Sequence, residues 1–178
     1  LKGWLEPIRP FITGWSVHGG RGLLSFVDTQ PKKFVEAAEA IALRAPRAHL
    51  NLGGLKAKEM AALAATPLGR FEEVHLSQQR IDDAQLTILA ASPSVQGVGK
   101  WNLSDNHFGD EGLRALAASP NFTACSALIL EGVVTEPVAT SAGLEALLSS
   151  SQWPALRYLG INVTSVGTAF ERCTLALH

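Results

Sequence analysis

The sequence predicts an α/β fold in which short strands alternate with short helices around a shared apolar core. Three observations lead to it: apolar residues recur every 27 positions, the apolar period changes within each recurring stretch, and 47% of the residues are hydrophobic. Alternation of apolar and polar residues is typical of a strand, and apolar residues at i, i+3 and i+4 are typical of a helix. A chain of 178 residues fits one domain.

Composition argues against several classes of protein. The net charge of −1 is unlike the basic surface of a nucleic-acid-binding protein. Cys125 and Cys173 are too few for a disulfide scaffold, and no apolar run approaches the roughly 18–20 residues of a membrane helix. Aromatic residues make up only 7%, so the core must consist mainly of Leu, Ala and Val. Because the chain begins at Leu1, we expect a piece of a longer or processed protein.

The recurring stretches are visible in the sequence itself. Leu76, Leu103 and Leu130 follow one another at intervals of 27 residues. The phrase Leu-Ala-Ala-Ser-Pro occurs twice in full and once with Thr in place of Ser, at 89–93, 116–120 and 63–67. Such self-similarity predicts strand–helix units stacked side by side, because one unit alone cannot bury its apolar stripe.

Each unit is predicted to contain a strand followed by a helix. The strands are Leu50–Leu52, Val74–Leu76, Trp101–Leu103, Leu128–Leu130 and, in a partial fifth copy, Leu156–Ile161. The inward helix positions are Met60, Leu63 and Ala64; Leu86, Leu89 and Ala90; Leu113, Leu116 and Ala117; and Leu144, Leu147 and Leu148. Acidic residues (Asp82, Asp83, Asp110 and Glu111) open two of the helices, where negative charge is favoured. Prolines close the helices, because the residue before Pro resists helical geometry.

These units resemble leucine-rich repeats of the longer, ribonuclease-inhibitor-like type. The family pattern L-x-x-L-x-L-x-x-N is met best at 98–106, with Asn106 in the Asn position. Gln79 and Val133 replace that Asn in the neighbouring units, which predicts an irregular solenoid. The resemblance implies a right-handed solenoid with a parallel sheet on the concave face, helices on the convex face, and an Asn side chain that bonds backbone groups after the strand.

The region before the units resembles the N-terminal leader of bacterial repeat proteins. The residues that carry this resemblance are Trp4-Leu5-Glu6-Pro7, Gly14-Trp15 and Gly20-Arg21-Gly22. It implies a cap made of a strand at 23–27 and a helix from about Pro31 to Arg44. The inner face of that helix would be Phe34, Ala37, Ala38 and Ile41.

The predicted organisation has three parts. Residues 1–48 form the N-terminal capping segment, 49–165 hold four repeats and a partial fifth, and 166–178 form a C-terminal cap or edge. Phe170 and Leu175 are the candidates for covering that end. The fourth unit is seven residues longer than the third, and the extra segment falls at 133–138. Such insertions land in loops, often on the binding side, although a drifted loop without a role is the more ordinary interpretation.

No catalytic or cofactor motif is recognisable. The glycines at 19–22 and 97–99 lack the Gly-Lys-Ser/Thr ending of a phosphate-binding loop. Cys125 falls on a core position and is expected to be a buried, inert thiol. His49 and His75 occupy equivalent strand positions and are expected side by side, but two exposed polar residues are favoured over a metal site. We therefore predict no catalytic residue, no cofactor and no metal.

What remains is a surface on the outward side of the predicted strands. Its candidate partner-binding residues are Asn51, Glu73, His75, Ser77, Lys100, Asn102, Ser104, Ile129, Glu131 and Tyr158. A broad, mixed surface of this kind suits a protein or peptide better than a small metabolite, which usually needs a pocket. We predict a cytoplasmic, non-catalytic interaction module that binds a protein or peptide and neither nucleic acid nor membrane. Two alternatives stay open: a regulatory subunit resembling a GTPase activator, and a sensor or scaffold segment of a larger protein.

Overall fold

The chain forms one eight-stranded sheet in which the strands lie in chain order. The computed structural model describes residues 2–17, 24–132, 139–162 and 173–176. The strands are β1 (Ile12–Val17), β2 (Leu24–Thr29), β3 (His49–Leu52), β4 (Glu73–His75), β5 (Lys100–Asn102), β6 (Ala127–Glu131), β7 (Tyr158–Asn162) and β8 (Cys173–Ala176). The helices are α1 (Lys2–Leu5), α2 (Pro31–Arg44), α3 (Met60–Ala64), α4 (Asp83–Ala91), α5 (Asp110–Ala118) and α6 (Ser141–Leu148). Short 3-10 turns cover Arg9–Phe11, Ala57–Glu59, Leu68–Arg70 and Pro93–Val95.

The sheet is mostly parallel, which confirms the α/β class. Strands β2 to β7 pair in parallel, and a helix, α2 to α6, lies between each strand and the next. Strand β1 pairs antiparallel with β2, and β8 pairs antiparallel with β7. The strand at Leu24–Thr29 and the helix at Pro31–Arg44 agree with the sequence prediction for the described residues.

One apolar core lies between the sheet and the helices. Along β3, β4 and β6 every second side chain is buried, and these inward side chains join those of α2 to α6 in a single cluster. The predicted inner face of α2 is buried in full: Phe34, Ala37, Ala38 and Ile41. Helix α6 departs from its prediction, because Leu147 is buried whereas Leu148 is 42% exposed. Within the described part of the chain α6 is the last helix, so no further helix covers that side.

Aspartates at the start of one helix cap the start of the next. Asp83 Oδ1 accepts hydrogen bonds from the backbone N–H groups of Gly109 (2.7 Å) and Gly112 (2.8 Å) at the start of α5. Asp110 accepts in the same way from Thr140, from its N–H and from its hydroxyl, each at 2.6 Å. A carboxylate is favoured at a helix N-terminus because unpaired N–H groups point at it.

This contact needs glycine in the receiving helix. A Cβ at Gly112 would lie 2.7 Å from Asp83 Oδ1, and one at Gly143 would lie 2.6 Å from Asp110 Oδ1. Burial tends to raise the pKa of Asp110, but hydrogen bonds from Thr140, together with nearby Arg114, outweigh it and lower the pKa below its usual value. The sequence predicted acidic residues at the helix starts, but it did not predict that each aspartate caps the N-terminus of the following helix.

Serines tie the helix ends together on the same side of the sheet. Ser119 Oγ donates to the carbonyl oxygen of Ala90 at 2.5 Å, and Ser92 and Ser150 donate in the same way to Ala64 and Ala117. Ser92 and Ser119 belong to the recurring Leu-Ala-Ala-Ser-Pro phrase. The serine of that phrase therefore satisfies a helix-end carbonyl that the preceding helix leaves unpaired.

Asn106 holds two successive turns together, as the resemblance implied. Its Oδ1 accepts from the N–H groups of Gln79 and Ile81, each at 3.0 Å, and its Nδ2 donates to the carbonyls of Leu76 and Leu103, each at 2.8 Å. The side chain is 1% exposed. Three of these contacts, to Ile81, Leu76 and Leu103, satisfy backbone groups in buried positions.

Gln79, one of the two replacements of that Asn, makes comparable contacts. Gln79 Oε1 accepts from the N–H of Leu55 at 2.8 Å, and its Nε2 donates to the carbonyl of Ser77 at 2.6 Å. Glutamine carries the same amide on a longer stem, so Gln79 contacts the turn of the preceding unit as Asn106 contacts the turn at Gln79. Val133, the other replacement, and the insertion at 133–138 lie outside the described residues.

Three aromatic side chains pack together in the core near β5 and β6, Trp101 tilted against Phe122 and Phe122 stacked on Trp153. The ring centroids of Trp101 and Phe122 are 5.4 Å apart, and those of Phe122 and Trp153 are 4.9 Å apart. Trp153 Nε1 donates to the carbonyl of Leu116 at 3.0 Å. Trp101 Nε1 is buried without a hydrogen-bond partner, alone in this among the residues that the structure describes.

The ends of the chain are described only in part. Strand β8 places Leu175 beside Leu159 in the backbone register, at the sheet edge where the sequence predicted a cap or an edge. Phe170, the other residue predicted to cover that end, lies outside the described residues, as do the glycines at 19, 20 and 22. In the described ranges, none of the helices combines the length and the apolar character that crossing a bilayer requires.

Candidate functional site

The side of the sheet opposite the helices carries two rows of side chains, which we call the strand face. The backbone register defines the first row as Phe26, His49, Glu73, Lys100, Ala127 and Tyr158. It defines the second row as Asp28, Asn51, His75, Asn102, Ile129 and Gly160. Because neighbouring strands are about 4.8 Å apart, each row runs for about 24 Å across six strands.

Most of the predicted surface residues lie on or beside the strand face. Seven belong to its two rows: Asn51, Glu73, His75, Lys100, Asn102, Ile129 and Tyr158. Glu131 is half-buried at the end of β6, and Ser77 is half-buried just after β4. The rows therefore bring together residues that are up to 107 positions apart in the sequence, from Asn51 to Tyr158.

The prediction that Ser104 lies on the exposed surface is wrong, because the structure buries this residue to 7% exposure. The strand ends at Asn102, whose Oδ1 accepts from the Ser104 N–H at 3.1 Å, and the Ser104 carbonyl accepts from Gln78 and from Asn106. These bonds pull the chain inward at Ser104. Strand alternation, from which its exposure was predicted, has already ended there.

Two histidines and a glutamate converge near the N-terminal end of the strand face. His75 Nε2 lies 2.8 Å from Glu73 Oε1, and His49 Nδ1 lies 3.2 Å from Glu73 Oε2. One donor atom from each of the three side chains lies within 4.8 Å of the other two. The side chains are 13% exposed for Glu73, 27% for His75 and 45% for His49. We call these three residues the His–Glu–His cluster.

The strand register explains this arrangement and corrects the sequence reading. His49 does not pair with His75; it pairs with Glu73, and His75 pairs with Asn51. Glu73 and His75 are two residues apart on β4, so their side chains leave the same face of the sheet. The alternation along β4 was visible in the sequence. The residue that faces Glu73 from the next strand depends on register, which the sequence alone did not define.

A groove of about 400 Å³ adjoins the cluster. Its lining residues are Ser16, Ser25, Phe26 and His49, which belong to β1, β2 and β3. His49 therefore contributes both to the cluster and to the wall of the groove. Sequence reasoning missed this place, because it depends on the antiparallel pairing of β1 with β2.

The rest of the strand face changes in character from β3 to β7. Asn51 Nδ2 donates to Asp28 Oδ1 at 2.9 Å, and the Lys100 side chain is exposed. Towards β7 the surface becomes apolar. A Cβ at Gly160 would lie 3.2 Å from the Tyr158 ring and 3.4 Å from Ile129 Cγ2, so the ring rests over Gly160 beside Ile129.

Cys125 is buried and unpaired, as predicted. Burial raises the pKa of its thiol from 9.0 to about 12, although a backbone hydrogen bond from Ala127 acts in the opposite direction. A thiol that stays protonated is a poor nucleophile and a poor metal ligand. Cys125 therefore has no part in a site at the surface.

The raised pKa of Cys125 predicts a loss of stability in alkali. The unfolded thiol ionises near pH 9, while the folded one resists ionisation up to about pH 12. Stability is thus fully present below about pH 9 and falls as the pH rises above it. We expect urea unfolding to show a steeper decline between about pH 8 and about pH 10.5 in the wild type than in Cys125→Ala. Equal declines would contradict the prediction.

Comparison with known proteins adds no identification. The chain matches none of the family models against which it was compared. It matches none of the curated proteins either.

Proposed function

We propose that the chain is a right-handed leucine-rich-repeat solenoid that binds a partner protein or peptide on the strand face and catalyses no reaction. The 27-residue spacing that links Glu73, Lys100 and Ala127 in one row supports the solenoid. The four backbone contacts of Asn106 to two successive turns support it as well. In this architecture the strand face is the concave surface, which such proteins as a class use for binding.

The continuity of the strand face carries the proposal. Its two rows run across six strands, and in the first row every side chain from Phe26 to Tyr158 is half-buried or exposed. A surface about 24 Å wide can contact an extended segment along several strands. Two residues of the first row, Phe26 and His49, also line the groove of about 400 Å³.

Charge and polarity along the face define the chemistry of the partner. Glu73 is already engaged by His49 and His75, whereas the Lys100 side chain is exposed. Ile129 and Tyr158 form an apolar surface on the next two strands, β6 and β7. We expect a partner segment that places an acidic side chain opposite Lys100 and an apolar side chain against Ile129 and Tyr158.

The test compares two double variants that remove the same atoms from different surfaces. Lys100→Ala with Ile129→Ala alters the strand face, and Lys58→Ala with Ile88→Ala alters exposed positions on the helical side of two units. A partner is captured from cell extract with the full chain and purified, and its affinity is measured by calorimetry. We expect the strand-face variant to bind at least about 10-fold more weakly and the control to bind like the wild type.

Two results would overturn the proposal. One is equal affinity of the partner for the wild type and the strand-face variant; the other is loss of affinity in the control alone. Circular dichroism and thermal unfolding of both variants show whether a loss of binding is a loss of folding instead. If the chain stimulated GTP hydrolysis by a captured small GTPase, the result would favour a regulatory function over that of an interaction module.

A further inference from the structure

We propose that the His–Glu–His cluster binds one divalent transition-metal ion of the Zn²⁺ type. The ligands are His49 Nδ1, a carboxylate oxygen of Glu73 and His75 Nε2. This inference goes beyond the proposed function and does not rest on it, because the ion would bind to the chain alone. Three protein ligands leave at least one coordination position for water or for a donor atom from another molecule.

The spacing of the donor atoms is close to what such an ion requires. Zn²⁺ binds imidazole nitrogen and carboxylate oxygen at about 2.0–2.2 Å, so tetrahedral ligands lie about 3.3–3.5 Å from one another. Glu73 Oε1 and Oε2 lie 2.8 and 3.2 Å from the two histidine nitrogens, and all three ligand atoms are within 4.8 Å. A shift of about 1 Å in the histidines would create room for the ion between them.

The sheet holds these side chains in place before any ion binds. His49 and Glu73 are direct partners in the β3–β4 register, and His75 follows Glu73 on the same strand. Glu73 is 13% exposed and contacts both histidines, so its carboxylate is the fixed centre of the cluster. His49 is 45% exposed and is the side chain free to adjust. A site of this kind loses little conformational entropy on binding an ion.

The ligand types define which cations would bind. Two imidazoles and one carboxylate suit Zn²⁺, Co²⁺, Ni²⁺ and Fe²⁺, whereas Mg²⁺ and Ca²⁺ prefer a shell made of oxygens alone. The groove of about 400 Å³ lies beside the site, since His49 lines its wall. A small ligand with an oxygen or nitrogen donor could therefore reach the open coordination position from the groove.

Lys100 places a positive charge beside the His–Glu–His cluster, where it opposes the binding of a cation. Lys100 pairs with Glu73 in the β4–β5 register, on the side away from His49. Its exposed ammonium group weakens the attraction of the cluster for a cation. Lys100→Ala is accordingly expected to bind the ion several-fold more tightly, a gain that a purely structural His–Glu–His contact would not produce.

The experiment titrates the full chain with Zn²⁺ alone in a calorimeter and records the absorption of the Co²⁺ complex. We expect one ion per chain, with a Kd at or below about 10 μM. His49→Ala together with His75→Ala is expected to weaken binding by at least about 100-fold, and Glu73→Gln by a smaller factor. His107→Ala is the matched control, because His107 lies outside the cluster and is expected to leave affinity unchanged.

Several outcomes would overturn the metal site. Binding that the His49/His75 double variant retains would place the ion on other residues. A sulfur-to-cobalt charge-transfer band would show ligation by a cysteine instead. No heat and no cobalt spectrum at millimolar metal would exclude the site altogether. A variant that loses Zn²⁺ binding but keeps its partner affinity, or that loses partner affinity but keeps Zn²⁺ binding, separates the metal site from the proposed function.

Discussion

Replacing Asn106 with alanine is expected to lower the free energy of unfolding by about 3–5 kcal/mol. The side chain is 1% exposed and hydrogen-bonds backbone groups of two successive turns. Without it, the buried N–H of Ile81 has no acceptor and the buried carbonyls of Leu76 and Leu103 lose a donor, and each such group costs about 1–3 kcal/mol. Urea unfolding of the wild type and the variant measures the difference.

The matched control for this prediction is Asn51→Ala. Asn51 is half-buried on the strand face and donates one hydrogen bond to Asp28 at 2.9 Å. Water can replace that partner, so a loss below about 1 kcal/mol is expected. If both alanine variants lost the same amount of stability, the buried contacts of Asn106 would contribute no more to the free energy of unfolding than one hydrogen bond at the surface.

Replacing Trp101 with alanine is expected to cost about 3–5 kcal/mol, because it empties a large, fully buried position. Trp101→Phe should cost much less. It keeps an aromatic ring against Phe122 and removes an Nε1–H group that has no partner. An unpaired donor in the core destabilises the folded state, so its removal offsets part of the lost packing.

A second Trp→Phe variant isolates the contribution of the unpaired donor. Trp153 stacks on the same Phe122, but its Nε1 donates to the Leu116 carbonyl at 3.0 Å. Trp153→Phe therefore loses a hydrogen bond worth about 1 kcal/mol, whereas Trp101→Phe loses none. We expect Trp153→Phe to be the more destabilising of the two in thermal or urea unfolding. The opposite order would mean that Trp101 Nε1 has a partner after all.

The parallel part of the sheet could be predicted because each of its strands buries one face. Leu50, Val74, Trp101 and Leu128 occupy one inward row, and the first three alternate with polar side chains in the sequence. Strand β1 could not be predicted in this way. Each of its six residues is half-buried or exposed, so it has no buried face to produce such a pattern.

The candidate site could be predicted as a surface but not as a cluster. Period-two alternation was enough to place His75 and Lys100 on the outward face. Bringing His49 to Glu73 required the register between two strands that are separated by two 3-10 turns and helix α3. The predictions for Ser104 and Leu148 were wrong where an element or the row of helices ends: Ser104 lies two residues beyond β5, and Leu148 ends α6, the last helix in the described part of the chain.

The aspartate caps between helices restrict how the length of this protein can change. Asp83 and Asp110 are 27 residues apart, and each belongs to one helix but completes the helix that follows. A stretch such as 86–112 contains one giving aspartate, Asp110, and the receiving Gly109 and Gly112, so its whole duplication or deletion recreates the junctions on either side. Gain or loss of a few residues between the same aspartates would move the receiving glycine away from the carboxylate that it contacts. Duplication or deletion of whole 27-residue units is therefore the change in length that these aspartate–glycine contacts tolerate best.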